Sequence, residues 1–384
     1  MKRPHLVHFL AVINEEYLSI RAGMTMRENL IPHGGIYYNL AQELTQSIEK
    51  EIFSPRFPIE SIKLLKSRTY QMKLVAMAEG KEVYRKVFES DSYGNFNFRI
   101  PMNEERKDIS ALLVFDVGVQ PGLEFHLGSY IPTKILHPRK LIICDFDKTL
   151  VDTKYSTTKE VYFSLTKPLE YFPTVTRSVA ILRSFIKKGH FPFIVSASPH
   201  FYEEAIRDWL YQRRIFTAGI FLKDYRRVFS LFELDLTPKD LKLHGLYKLN
   251  QLLDIILMTG IPDELILMGD NFEADPIIYL ALVAFLQDHQ DPRPFWQKLK
   301  KLDAFQMNRK QDAQLLSKFY QISNMLSKER RKVEATIYIR KKSSESEIMI
   351  PDILKKYSDV IELYDGHAEL PKISSEESLE QTIK

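Results

Sequence analysis

Asp145-Phe146-Asp147-Lys148-Thr149 follows directly on the apolar run Leu141-Ile142-Ile143-Cys144. Such a run reads as a buried strand, so two carboxylates and a hydroxyl leave its carboxyl end together. Ligands of open α/β sheets sit just beyond the carboxyl ends of the strands. Residues two apart on a chain leaving a strand can face one crevice, where one carboxylate attacks phosphorus and the other manages a proton. That is the layout of a metal-assisted phosphoryl-transfer site. A bare Asp-x-Asp also serves as a turn, a helix cap or surface charge.

Three downstream segments narrow the choice. Phe191-Pro192-Phe193-Ile194-Val195-Ser196-Ala197-Ser198-Pro199 is an apolar run ending in small hydroxyl residues. Lys248 opens the helical spacing Leu249, Leu252, Leu253, Ile256. Glu264-Leu265-Ile266-Leu267-Met268-Gly269-Asp270 is a second strand-like run, and Asp275 follows five residues later. Each has a plainer reading alone: Ser196 as a strand-end turn, Lys248 as a solvated position, Asp270 and Asp275 as caps. Their occurrence in this order, each at an element end, favours one shared site. The Asp-x-Asp of glycosyltransferases would supply the acidic pair without accounting for Ser196, Lys248 and Gly269-Asp270.

The elements that must position these residues alternate along the chain. Strand-like runs at 141–145, 191–196, 218–222, 264–269 and 334–341 interleave with helix-like runs at 175–188, 200–211, 247–258 and 275–286. Asp352 to Tyr357 reads as a last helix and Val360 to Tyr364 as a last strand. Alternation of this kind predicts an α/β unit with a mostly parallel sheet flanked by helices. The stretch from Asp152 to Pro173 is short and that from His200 to Lys248 is filled by ordinary patterns, so no large cap is expected over the site. An open site suits a bulky substrate, including a headgroup held at a membrane.

Upstream, Ile36, Leu40, Leu44, Ile48 and Ile52 have helical spacing, and residues 1–58 read as an N-terminal helical segment closed by the linker Ser54-Pro55-Arg56-Phe57-Pro58. The period then shifts to two, as in Tyr70, Met72, Leu74 and in Phe96, Phe98, Ile100, and residues 59–136 read as a small antiparallel β-sandwich-like domain. Nothing there looks catalytic, which favours a docking or targeting role. The α/β unit occupies 137–370, with a helical insertion at 287–333, and 371–384 is a polar tail. In the insertion Phe295, Trp296, Leu299, Leu302 and Phe305 share a stripe beside Lys298, Lys300 and Lys301. The stripe is either a face packed on its own core or an interfacial helix drawn to anionic lipid, a peripheral membrane contact.

At 384 residues the chain exceeds a typical single domain. With 45% hydrophobic and 27% charged residues it is not a largely disordered chain. A formal charge of +4 and a pI of about 8.7 are only mildly basic, so no nucleic-acid partner is expected. The single cysteine, Cys144, excludes an intramolecular disulfide framework and a cysteine-rich zinc site, and reads as a small buried strand residue. No apolar stretch approaches the roughly 20 residues of a spanning helix. Leu6 to Ile13 contains His8 and runs into Asn14-Glu15-Glu16, which reads as folded structure and not as a secretory signal, so a cytoplasmic location is expected.

Taken in order, Asp145-x-Asp147-x-Thr149, Ser196, Lys248 and Gly269-Asp270 with Asp275 resemble the four motifs of the haloacid dehalogenase-like superfamily of phosphohydrolases. Val195 to Pro199, Gly269 to Tyr279 and Ala335 to Arg340 are similar to stretches of the catalytic domain of actin-patch-type phosphatidate phosphatases, across roughly residues 139–365. Lys148 stands where that group more often has Asp. The resemblance implies a Rossmann-like parallel sheet behind a β domain, and Mg²⁺-dependent release of phosphate from phosphatidate. It implies Asp145 as nucleophile forming an aspartyl-phosphate and Asp147 as general acid and base. Ser196 and Lys248 would bind phosphate oxygens, with Ser198 as the other candidate hydroxyl.

The same resemblance implies Mg²⁺ held by Asp145, the main-chain carbonyl of Asp147, and Asp270. Asp275 would be a further ligand or would orient a metal-bound water. Thr149 is read as a brace of the loop and Asn271 as a candidate contact of a metal-bound water. His200, His244 and Arg340 are read as structural. Two other functions fit the same chain: a phosphatase of a soluble phosphomonoester, and a non-catalytic scaffold, against which the retention of all four aspartates counts.

Overall fold

The computed structural model describes residues 2–28, 68–118, 122–153, 169–199, 202–223, 244–288, 290–305, 309–329, 332–341 and 348–366. The amino-terminal part is a sandwich of strands β1 (Lys2–Ile13), β2 (Tyr17–Glu28), β3 (Gln71–Ala78), β4 (Lys81–Glu89), β5 (Asn95–Pro101), β6 (Ile109–Asp116), β7 (Phe125–Tyr130) and β8 (Thr133–Lys134). They form two four-stranded sheets, ordered β5-β2-β1-β8 and β4-β3-β6-β7. Ile13, Ile20 and Met24 from one sheet share a core with Met72, Leu74, Leu112 and Val114 from the other.

The first 28 residues correct the expectation of a helical segment over 1–58, because β1 and β2 pair antiparallel from Lys2↔Glu28 to Ile13↔Leu18. The sandwich therefore begins at the amino terminus of the described chain and not near residue 59. The physical reason lies in β1, which is buried on both faces. Ala11 and Ile13 enter the sandwich core, while Leu10 and Val12 enter the core of the α/β unit. A strand covered on both sides reads as a continuous apolar run, here Phe9 to Ile13, and shows no alternation. The helix expected over Gly35–Ile52, the linker at 54–58 and the polar tail at 371–384 lie outside the described residues.

The α/β unit carries strands β9 (Lys140–Asp145), β10 (Phe191–Pro199), β11 (Gly219–Lys223), β12 (Glu264–Asp270), β13 (Glu334–Arg340) and β14 (Ile361–Tyr364). All pair in parallel, in the order β11-β10-β9-β12-β13-β14. The expected last helix is a 3₁₀ segment, Asp352–Val360. The helices are α1 (Thr176–Lys187), α2 (Glu203–Gln212), α3 (His244–Thr259), α4 (Asp275–Asp288), α5 (Pro292–Leu299) and α6 (Arg309–Glu329). Successive side chains of β9 point to opposite faces. Ile142 and Cys144 meet Leu182, Ile206 and Trp209 of α1 and α2, and Leu141 and Ile143 meet Leu249, Leu252 and Phe285 of α3 and α4.

Helix α4 is buried all round, from Ile278 to Leu286, because the insertion covers its outer side. Phe319 of α6 packs on Phe285 with ring centroids 4.6 Å apart, and Phe295, Trp296, Leu299 and Phe305 are each at most 2% exposed. The aromatic stripe of the insertion is thus a core face, and the interfacial-helix reading is set aside. No helix among the described residues is long and apolar enough to cross a membrane.

From β9 the chain steps outward through β10 and β11, then returns to lay β12, β13 and β14 on the other side. The reversal falls between β9 and β12, and a crevice opens at such a switch point beyond the strands' carboxyl ends. Asp145 and Asp270 terminate those two strands. Residues 154–168 and 224–243, on which the expectation of no large cap bears, lie outside the described residues.

The two units meet at Arg139, which is 4% exposed. Its Nη1 donates to both carboxylate oxygens of Glu329 at 2.9 Å and to the Ile261 carbonyl at 3.1 Å, and its Nη2 pairs with Glu15 in the β1–β2 turn. Gly260 makes room for this guanidinium: it has φ +93°, and a Cβ there would lie 2.5 Å from Arg139 Nη1. Gly260→Ala is expected to lower the unfolding free energy by more than about 1 kcal/mol, since it adds a left-handed backbone penalty to displacement of a buried cation. Urea denaturation of the two proteins checks this.

Candidate active site

Asp145 and Asp270 sit at the ends of neighbouring strands, and Asp275 opens α4. The strand ends carry them into the crevice while the apolar residues behind fix the strands, so all three carboxylates are buried, at 2%, 0% and 0% exposure. One oxygen from each lies within 4.8 Å of the others. Gly269 permits this approach, because a Cβ there would lie 2.4 Å from Asp275 Oδ2. Asp275 Oδ2 accepts the Asp270 main-chain N–H at 3.3 Å. Asp270 Oδ1 accepts the N–H groups of Phe272 and Glu273 at 2.6 and 3.1 Å.

Lys248, near the amino end of α3, is 2% exposed. Its Nζ is 2.5 Å from Asp275 Oδ1, 3.1 Å from Asp145 Oδ1 and 3.6 Å from Glu273 Oε2. Burial disfavours this ammonium, yet Asp145, Asp275 and Glu273 outweigh burial and raise its pKa well above the ordinary lysine value. Burial also lifts Asp145 well above the usual carboxylate range, against the pull of Lys248 and with the help of Asp275 and Asp270. Burial, with Asp275 beside it, pushes Asp270 up to about 7.

Asp147 lies apart from the three converging carboxylates. Its Oδ2 accepts Ser196 Oγ at 2.7 Å and Ser198 Oγ at 2.9 Å, and its Oδ1 accepts Thr153 Oγ1 at 3.2 Å. Ser196 Oγ also accepts the Ser198 N–H at 2.9 Å, so β10 delivers both hydroxyls to the first motif. Thr149 Oγ1 donates to Asp145 Oδ2 at 3.2 Å, which ties the loop to the first carboxylate. Cys144 is fully buried behind it. The side chains of His200 and His244 lie outside the described residues.

Three residues beyond the sequence candidates complete the site. Lys148, at φ +59°, donates to Glu273 Oε1 at 3.0 Å and so joins the first motif to the loop after β12. Arg340, at the end of β13, donates to the Lys148 carbonyl at 2.6 Å and to Asp152 Oδ1 at 3.0 Å. It accordingly does more than stabilise its strand, because it fixes the turn that carries Asp147. Glu273 had one available signal, its place between Asp270 and Asp275. Arg340 and Lys148 meet only through the adjacency of β13 to β12, which the chain order does not reveal.

The donor set fits a divalent cation. Asp145, Asp270, Asp275 and Glu273 face Lys148 and Lys248, so that once all four carboxyls are ionised two negative charges are left to offset. Asp270 Oδ2 is buried with no hydrogen-bond partner among the described residues, a position that is costly unless something binds it. Oxygen-only donors of this kind suit a hard cation.

Residues 140–290 match the family described as phosphatidate phosphatase APP1, catalytic domain. The matched segment runs from β9 to just beyond α4 and contains Asp145, Asp147, Ser196, Lys248, Asp270 and Asp275. The chain carries the catalytic domain of a phosphoric monoester hydrolase. More particularly, its activity is phosphatidate phosphatase-like. No curated protein matches the chain.

Divalent-cation affinity is expected to rise with pH through about 7, the value of Asp270 in the metal-free protein. Below that pH the carboxyl holds a proton that must leave before an ion binds, so affinity should fall by roughly ten-fold per unit. Calorimetric titrations in buffers of different ionisation enthalpy would register the released proton.

Proposed function

We propose that the chain is a Mg²⁺-dependent phosphatidate phosphatase of the haloacid dehalogenase-like type, working through an aspartyl-phosphate on Asp145. The observation that carries this reading is the convergence of Asp145, Asp270 and Asp275 around Lys248 at the switch point, with Asp147 held separately by hydroxyls. Two carboxylates in unlike settings can take unlike roles.

Asp145 attacks phosphorus in line, and the bond to the lipid alcohol oxygen breaks, which divides one hard displacement into two easier ones. Asp147 gives its proton to the leaving oxygen, then takes one from the water that hydrolyses the acyl phosphate. Lys248 and Ser196 hold non-bridging oxygens where charge develops. Ser198 shares Asp147 with Ser196 and keeps its carboxylate aimed. Asp275 holds Lys248 in place. A Mg²⁺ held by Asp145 and Asp270, with the Asp147 main-chain carbonyl, would offset the repulsion between an anionic nucleophile and an anionic substrate.

Phosphate release from phosphatidate in detergent micelles, with p-nitrophenyl phosphate alongside, tests this reading. Asp145→Asn is expected to abolish turnover, chelation to do the same, and Asp147→Asn to slow it by roughly 10²–10⁴-fold. Near-normal activity of Asp145→Asn, in protein free of contaminating phosphatase, would sink it. Turnover of the small ester alone would keep the catalytic roles and move the substrate to soluble phosphomonoesters.

A further inference from the structure

An ammonium carries three N–H donors, and carboxylates surround the one on Lys248. Asp275 Oδ1 at 2.5 Å and Asp145 Oδ1 at 3.1 Å lie within hydrogen-bond distance, while Glu273 Oε2 at 3.6 Å is an ion pair beyond it. The three partners differ in exposure as well. The side chains of Asp145 and Asp275 are 2% and 0% exposed and that of Glu273 is 25% exposed, so Glu273 covers Lys248 from the open side of the crevice. A phosphate arriving from solvent meets the loosest of the three partners first.

Glu273 has a second lysine to hold it. Its Oε1 accepts Lys148 Nζ at 3.0 Å, so each carboxylate oxygen faces a different ammonium. Its main-chain N–H donates to Asp270 Oδ1 at 3.1 Å, which anchors the backbone and leaves the side chain as the part that swings. Rotation of the carboxylate about its Lys148 contact would release Lys248 and keep Glu273 paired. A phosphate monoester carries a charge of roughly −1.5 to −2 at neutral pH, and a carboxylate left beside it weakens its binding by repulsion. The Lys148 charge offsets that repulsion.

We infer that substrate phosphate takes the place of Glu273 on Lys248, and that Lys148 is a positioning residue that draws the displaced carboxylate aside. The inference rests on the phosphate-binding role proposed for Lys248. It gives a chemical reason for a lysine in the turn beside Asp147: an uncharged residue there would leave Glu273 on Lys248 as a competitor of the substrate.

Calorimetric titration of the full chain with inorganic phosphate, in the presence of Mg²⁺, tests the exchange, with p-nitrophenyl phosphate hydrolysis run alongside. Lys148→Met is expected to weaken phosphate binding about ten-fold, the scale of coupling between neighbouring charges, because Glu273 then stays on Lys248. Glu273→Gln is expected to tighten binding, and the double variant Lys148→Met/Glu273→Gln to bind at least as well as the unmodified chain. A pair that only braced the turn would behave differently: Glu273→Gln would weaken binding as Lys148→Met does, and the double variant would recover nothing. That pattern, or a phosphate affinity that Lys148→Met leaves untouched, overturns the inference. Absence of hydrolysis by the unmodified chain, with the expected order of phosphate affinities intact, would overturn the aspartyl-phosphate reading and leave the exchange standing.

Discussion

One buried ammonium holds the centre of this molecule together. Lys248 is the only cation within reach of both Asp145 and Asp275 among the described residues, and it is buried. Removing water from carboxylates is costly unless a partner replaces it. Here the partner comes from α3, the nucleophile candidate from β9 and the third group from the start of α4. The packing of these helices on opposite strands of the switch point is what brings the charges to bonding distance. The arrangement of these charges is therefore a property of the sheet topology, and the loops add only its outer contacts.

Those outer contacts show how a first motif with Lys148 works. Lys148 reaches across to Glu273, and Arg340 grips the main chain on the same turn. The turn that presents Asp147 is thereby held from two sides, by a side chain from the neighbouring motif and by the end of the strand beyond it. Rigidity of this kind would serve the proposed role of Asp147, because a misplaced general acid loses much of its effect.

Much of this was legible in the sequence, for reasons that differ by element. The parallel strands are short apolar runs between helices of clear periodicity, so β9, β12 and their helices can be read almost to the residue. The four acidic positions could be placed because each stands at an element end. What could not be read depends on contacts between distant segments. Strand β1 is apolar on both faces and hides its period. The stripe at Phe295 and Trp296 fits a membrane surface as well as a core until Phe319 is seen against it. Arg340 looks like any strand residue until β13 is placed next to β12.

The two-sided burial of β1 bears on how such a chain can change over time. A catalytic domain joined by a linker can exchange its neighbour by recombination with little loss. Here Phe193 and Phe221 share a core with Leu10 and Val12, so a foreign amino-terminal unit would have to reproduce one face of a strand as well as its own interior. The two parts are bound to diverge together, residue against residue, along that single strand.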